Sequence, residues 1–227
     1  MNPAIRIHSV TLRLDDYLWF ASFEWGREIE TAPSLHNYAL SFGLSGIDRV
    51  ISVGGVPNYD EDLRALDVYT TPATLSRSMT PERQRGVLTY NSVDNPTQLT
   101  QAMRVGEKAN DPKFGRKHVL LPGLRFELVA FTRNDLALPR VFRLGKKRSP
   151  VVVERLEELK GRSFRGDATP DHAVNPLDVV GRVASCIPRP MPPHMIYERA
   201  SIEDDDFIRT DRMVVHVPKR VRAWRSA

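Results

Sequence analysis

Apolar positions near the start of the chain alternate with polar ones. Ile5 and Ile7, then Val10, Leu12 and Leu14, are apolar with polar residues between them, the two-residue period of a strand. The phase slips once near His8-Ser9, as a bulge would allow. Asp15-Asp16 then turns the chain into an aromatic patch of Tyr17, Trp19, Phe20, Phe23 and Trp25. These are core candidates first; Phe23 and Trp25, next to Arg27, also have the character of residues that stack on bases. Thr31-Ala32-Pro33 has the form of a helix start, with the threonine as cap and the proline early in the first turn. Leu35, Tyr38, Ala39 and Phe42 follow at helical spacing, and Gly43 to Gly46 closes the run. His36 and Asn37 fall off that stripe, so they face another element, solvent or a ligand.

Farther along, 47–62 reads as a loop and 66–70 as a strand. From Thr71 to Lys117 the chain becomes polar, with Pro72, Pro81, Pro96 and Pro112 among many basic residues. Such an insertion between strands is an extended hairpin reaching to a partner, or else a mobile loop. The first reading is preferred, with a strand at Val87–Tyr90 and a short helix at Thr97–Val105. Leu120 to Thr132 is the clearest strand, with Leu124, Phe126, Leu128 and Ala130 on one face. Val151 to Glu154 is another. Gly161–Asp171 reads as a loop, and the four prolines of Ile187–Pro193 exclude regular structure there. Ser201–Asp206 reads as an acidic turn or helix start. Met213–Val217 is a last strand, and Lys219, Arg220, Arg222 and Arg225 form a basic tail. With no internal repeat or low-complexity linker, 1–227 is read as one domain, with 71–117 as a candidate thumb. The fold class expected is α+β: a ferredoxin-like (RRM-like) antiparallel sheet with helices on one face and a long hairpin insertion. The aromatic RNA-reading strand motif of ordinary RNA-recognition domains is missing, so such a fold would read RNA through loops and basic surface.

Charge narrows the partner. The 227 residues carry a formal +5 with a pI near 9.5, which favours nucleic acid ahead of an acidic membrane surface. Cys186 is the only cysteine, so no intrachain disulfide and no cysteine zinc cluster can form. With no signal-peptide pattern and no apolar run of membrane-span length, the expectation is a cytoplasmic protein. The charge concentrates in Pro139–Pro150, where Arg140, Arg143, Lys146, Lys147 and Arg148 occur without an acid. A basic turn between strands presents cations and free backbone N–H groups to a phosphate chain; the alternative is a solvated loop.

Catalytic patterns are scarce. There is no phosphate-binding loop, no dinucleotide glycine pattern and no paired-histidine zinc signature, and the six histidines lack metal-ligand spacing. Asp204-Asp205-Asp206 reads as a solvated face before it reads as a cation site. Asp171-His172 is an acid–base pair only by adjacency. A metal-independent ribonuclease needs only a histidine, a lysine and a tyrosine, which no pattern excludes. The residues point to binding, with no cofactor and no metal.

Several motifs together carry a resemblance: Phe20-Ala21-Ser22, Gly26-Arg27-Glu28, Leu35-His36-Asn37-Tyr38-Ala39-Leu40, Leu121-Pro122-Gly123 with Phe126-Glu127, and Phe142 through Pro150. With Asn175-Pro176-Leu177-Asp178, they resemble the Csc-one proteins, the Cas-five-type subunits of type I-D CRISPR Cascade. The likeness runs from about Thr11 to Val180; the 71–117 insertion and the tail after Gly181 show no matching pattern. It implies a non-catalytic subunit with a ferredoxin-like core and a hairpin thumb. That subunit grips the 5′ handle of the crRNA, caps the filament of Cas-seven-type backbone subunits, and touches the large subunit near where target DNA presents its protospacer-adjacent motif. On that basis Lys146, Lys147 and Arg148, with Arg143, are candidates for handle phosphates. His36, Asn37 and Tyr38 are candidates for handle bases, and Arg116 and Lys117 for the RNA backbone. Two alternatives stay open: a crRNA-processing endoribonuclease using His36, Tyr38 and Lys147, and an RNA-binding scaffold subunit of another ribonucleoprotein.

Overall fold

Strands dominate because runs of β-branched and aromatic residues outnumber helical periodicities. A computed structural model describes residues 5–46, 59–76, 85–91, 114–133, 136–191 and 194–224. In chain order the strands are β1 (Ile5–Leu14), β2 (Phe23–Trp25), β3 (Glu28–Glu30), β4 (Ser34–Leu35), β5 (Val68–Thr70), β6 (Ala73–Leu75), β7 (Arg85–Asn91) and β8 (Phe114–Leu120). They continue with β9 (Arg125–Arg133), β10 (Val141–Leu144), β11 (Ser149–Glu158), β12 (Gly161–Ala168), β13 (Arg182–Met191), β14 (His194–Thr210) and β15 (Val214–His216). The helices are α1 (Asn37–Ser45), α2 (Tyr59–Arg64) and α3 (Lys219–Ala223), with a 3-10 turn at Pro176–Asp178. The main sheet has the order β10-β11-β1-β9-β6-β4, with β5 also on β9, and every pairing in it is antiparallel. A second sheet is β12-β14-β13 with β15 on β14; a third is β2-β3-β8-β7, in which β3 and β8 run parallel.

The centre of the main sheet is buried on both faces. Phe126, Leu128 and Ala130 of β9 pack with Val10, Leu12 and Leu14 of β1 and with Leu40 and Leu44 of α1. Val129 and Phe131 turn the other way, toward Ile7, Val215, Val221 and Trp224. The phase slip near His8-Ser9 is therefore not a bulge against β9. There the register runs unbroken from Ile5 opposite Arg133 to Arg13 opposite Arg125. The slip marks the point where β1 changes which face it buries; the irregularity in pairing lies farther on, between Thr11 and Leu12 against β11.

Other local expectations are corrected. Helix α1 begins at Asn37 rather than at Thr31, with His36 as its cap through Nδ1 accepting from Tyr38 N–H. The Thr31 hydroxyl is spent on the Phe20 backbone at 3.0 and 3.2 Å. The helix closes at Gly46 with φ 64°. Gly43 lies inside it, where a Cβ would stand 2.6 Å from the Phe142 ring, so the glycine lets α1 and β10 approach. The expected loop at Gly161–Asp171 is largely strand β12. Pro188 and Pro190 sit within β13, an edge strand, where a missing N–H can face solvent. Ser201–Asp206 is the middle of the 17-residue strand β14, not a turn or helix start. The bases of the 71–117 insertion form an antiparallel hairpin, Arg85 opposite Leu120 through Asn91 opposite Phe114; the helix expected at 97–105 falls outside the described residues. Among the described residues no helix is long and apolar enough to cross a membrane.

We predict that Phe126→Ala, removing a side chain with no exposure, costs about 3–5 kcal/mol, read from the urea midpoint at unchanged m-value. Val141→Ala, on a 53% exposed residue of the edge strand, is expected to cost at most about 0.5 kcal/mol.

Candidate nucleic-acid interface

The basic turn is the tip of the β10–β11 hairpin. Phe142 and Leu144 point into the core while Val141 and Arg143 point out, so the alternation delivers Gly145-Lys146-Lys147-Arg148 to the surface. The tip is fixed at its base: Lys146 N–H donates to Trp19 O at 3.1 Å, and Ser149 Oγ donates to Tyr17 O. Gly145 has φ 76°, and a Cβ there would stand 2.5 Å from Leu18 Cδ1 and 2.8 Å from Trp19 O, so only glycine seats the turn. Arg148 also has positive φ (56°), and its N–H closes the turn on Gly145 O at 3.0 Å. Arg143 Nη1 donates to Arg148 O at 3.2 Å. Lys147 Nζ reaches Asp16 at 2.7 Å, which holds that carboxyl below its usual range.

Trp19 joins this turn to the small sheet. Lys117 Nζ lies 4.2 Å from its ring centroid and Lys146 Nζ 5.4 Å, both within cation–π range. Burial, with the charge of Lys146 adding, pulls the Lys117 ammonium below its ordinary value. Lysines 29 positions apart thus share one aromatic plate. Arg116 is not part of that group. The pleat places it beside Glu28, 3.7 Å away, and Glu28 in turn lies opposite Trp25. Trp25 is 64% exposed and stacked on Phe23 at 5.7 Å, so Arg116 shares its face with this aromatic pair while Lys117 faces Trp19.

His36, Asn37 and Tyr38 are all buried, and their neighbours are protein. Asn37 Nδ2 donates to Tyr69 Oη (3.0 Å) and to Asp178 Oδ2 (3.2 Å), while its Oδ1 accepts from Asn175 Nδ2 (3.1 Å). Tyr69 donates to Asp178 at 2.9 Å. The two motifs Leu35–Leu40 and Asn175–Asp178 therefore meet in one enclosed cluster, and the Asn37 amide has no group left over for a base. Arg220 lies over the Tyr38 ring. Burial raises the Tyr69 and Tyr38 hydroxyls above their ordinary value, and raises the Asp178 carboxyl to about 6. His36 is pushed down to about 4 by burial, with His194 adding.

A second buried carboxylate corrects the reading of Asp204–Asp206 as a solvated face. Asp205 has no exposure and accepts from Val180 N–H and Gly181 N–H at 3.0 Å, from His216 Nε2 at 3.2 Å, and from Arg222. His172 is locked neutral, Nδ1 on Ala173 O and Nε2 accepting from His216 N–H; burial pushes both histidines down to about 4. The basic tail is thus partly a docked helix. Among the described residues no three His, Cys, Asp or Glu side chains are placed to hold a metal ion. Reasoning from spacing missed the role of Trp19. Its one local signal is its place just after the Asp15-Asp16 turn.

Fold and site together define a β-rich protein with a localised cationic surface built on a rigid turn. The family model described as Type I-D CRISPR-associated protein Cas5/Csc1 matches residues 5–226, and the chain belongs to that family. Among curated proteins, none matches the chain.

Gly145→Ala is expected to lower stability by about 1–3 kcal/mol, measured by thermal unfolding. Unfolded, the imidazoles of His36, His172 and His216 bind protons below an ordinary pKa of 6.5, whereas the fold holds them neutral until about 4. Stability is therefore lost as pH falls from 6.5 toward 4. Asp178 acts in the opposite sense, because its folded pKa near 6 exceeds the ordinary 3.8, so it adds stability as pH falls from 6. The lowered histidines outnumber the one raised carboxyl, so the balance is a loss of stability as pH falls from 6 toward 4. Urea titrations across that range check the sign.

Proposed function

We propose that this type I-D CRISPR Cas5-type subunit is a non-catalytic RNA-binding component of the effector. In this reading it grips the 5′ handle of crRNA, caps the Cas-seven-type backbone filament and contacts the large subunit, close to target DNA at the protospacer-adjacent motif, in the cytoplasm. The observation that carries it is the convergence of Lys117 and Lys146 on Trp19 beside the Lys147–Arg148 tip. Gathering cations on one face costs repulsion that a bound phosphate chain would relieve. Arg116 with Phe23 and Trp25 supplies a second face suited to backbone and base stacking. His36, Asn37 and Tyr38 then act from inside, holding α1 against the Asn175–Asp178 segment. The scaffold is read as ferredoxin-like: β11-β1-β9-β5 gives four antiparallel strands with α1 between the first and second in sequence. The β7–β8 hairpin is read as the base of the thumb.

The test is assembly. A Lys117→Ala/Lys146→Ala/Lys147→Ala/Arg148→Ala variant, co-expressed with its repeat array and partner subunits, is expected to lose crRNA. It is also expected to reduce the salt slope of handle binding by about 0.7 per lost phosphate contact. Assembly with crRNA at the parent's level would make the turn scaffold. A discrete cut of repeat RNA by the chain alone in EDTA, abolished by His36→Ala, would make it a processing nuclease instead.

A further inference from the structure

A second cationic site lies at the other end of the main sheet. Leu63, Arg64, Arg133, Leu177, Lys219, Arg220, Ala223 and Trp224 enclose a cavity of about 590 Å³, a size typical of ligand sites. The Arg133 guanidinium lies over the Trp224 ring, 4.7 Å from its centroid, with Nε buried and lacking a hydrogen-bond partner among the described residues. Arg64 at the end of α2 and Lys219 at the start of α3 are exposed. Among the described residues no carboxylate lines the wall; Asp67, 3.6 Å from Arg133, stands outside the lining. Trp224 and Leu63 are buried and form an apolar floor, while Leu177 is 52% exposed.

This cluster is separate from the basic turn. Arg133 pairs with Ile5 at the beginning of β1, whereas Leu14, at its end, pairs with Val151, two residues beyond the turn's Ser149 anchor. Ten strand residues lie between, roughly 30 Å at 3.3 Å per residue.

We propose that this cavity is a second nucleic-acid site, taking the phosphodiester backbone of a single strand without regard to sequence. It extends the RNA-binding reading of the chain to a surface which that reading does not use. Three guanidinium groups suit phosphate oxygens, which they meet in paired hydrogen bonds. Beside them stands the Lys219 ammonium, and the other described side chains of the wall are apolar. Among the described residues it holds no amide, hydroxyl or carboxylate to read a base edge, so recognition is by charge. An acidic protein segment is the competing occupant, and it too would be drawn by charge. The apolar floor and the fork geometry of three arginines favour the sugar-phosphate chain.

The test uses the full chain and a labelled uridine oligonucleotide in fluorescence anisotropy across a salt series. Two charge reversals are compared, singly and together: Arg64→Glu/Lys219→Glu at the cavity and Lys146→Glu/Lys147→Glu at the turn. Arg64 and Lys219 have no ion pair among the described residues, so their reversal is expected to leave the melting temperature unchanged. The turn variant is expected to retain salt-sensitive binding, and adding the cavity reversal to weaken that residue by about tenfold or more. Binding that vanishes in the turn variant, or is untouched by the cavity reversal in both backgrounds, overturns the second site while leaving the turn in place. No binding by the parent chain at low salt overturns both sites. A polyglutamate peptide or inorganic phosphate that displaces nothing from the turn variant at matched charge supports the polynucleotide. Displacement by polyglutamate as strong as by oligonucleotide assigns the cavity to a protein partner.

Discussion

The Asn37–Asp178 cluster is the constraint on which the arrangement of the molecule depends. It brings together the first turn of α1, the middle of β5 and the 3-10 turn before β13, with Tyr69 and Asp178 lying 32 and 141 residues after Asn37. Each buried polar group in it has a partner, and removing one would leave the others to bear their desolvation, about 1–3 kcal/mol apiece. The same cost sets geometry. With Asp178 committed to Tyr69 and Asn37, α1 cannot slide along the sheet, and the glycine that lets it meet Phe142 holds its other end. Asp205 does the same for the C-terminal part, tying the Val180-Gly181 backbone, His216 and Arg222 to one carboxylate. Both clusters pin chain segments that hydrophobic burial alone would leave free to shift.

That fixed frame is what gives the hairpin tip its value. A flexible basic loop would lose conformational entropy on binding, whereas this one is already ordered by Trp19 O, Tyr17 O and the glycine that fits beneath Leu18. Trp19 itself is held between the small sheet, through Ile29 and Val119, and the turn. Leu18 exchanges both backbone hydrogen bonds with Leu120 at 2.8 and 3.0 Å, so the base of the β7–β8 hairpin and the β10–β11 tip are tied to the same Leu18-Trp19 segment.

How much of this could be read from the sequence depended on how local the deciding contact was. Leu124, Phe126, Leu128 and Ala130 declare their shared face by alternation alone, and all four do line one core. The basic turn was equally plain, because charge and a glycine suffice. What escaped were features decided at a distance. Pro188 and Pro190 are compatible with a strand only because β13 is an edge, and edge status is a property of the whole sheet. Asp205 looks like one of three solvated acids until the alternation of β14 turns it inward, beneath Arg222. Asn37 stood out by falling off the apolar stripe, yet nothing nearby says that Asn175 and Asp178 are what it faces. The motif was legible; its role as a clasp was not.

Net charge carried less information than its distribution. Much of the charge on the sheets is neutralised in place: Arg125 with Glu154, Arg165 with Asp204, Arg182 with Glu203 and Arg189 with Glu198. Exposed pairs of this kind contribute little to stability, about 0–1 kcal/mol each, but they cancel the field along the flanks. Arg140, Arg143 and Arg148 have no acidic partner among the described residues, nor have Arg64 and Lys219. Among the described residues, cations without an acidic partner thus stand at both ends of β1, and Arg162, Arg199 and Arg209 of the second sheet are further ones. Two cationic groups about 30 Å apart along β1 attract a polyanion independently at physiological salt, where screening acts over about 8 Å.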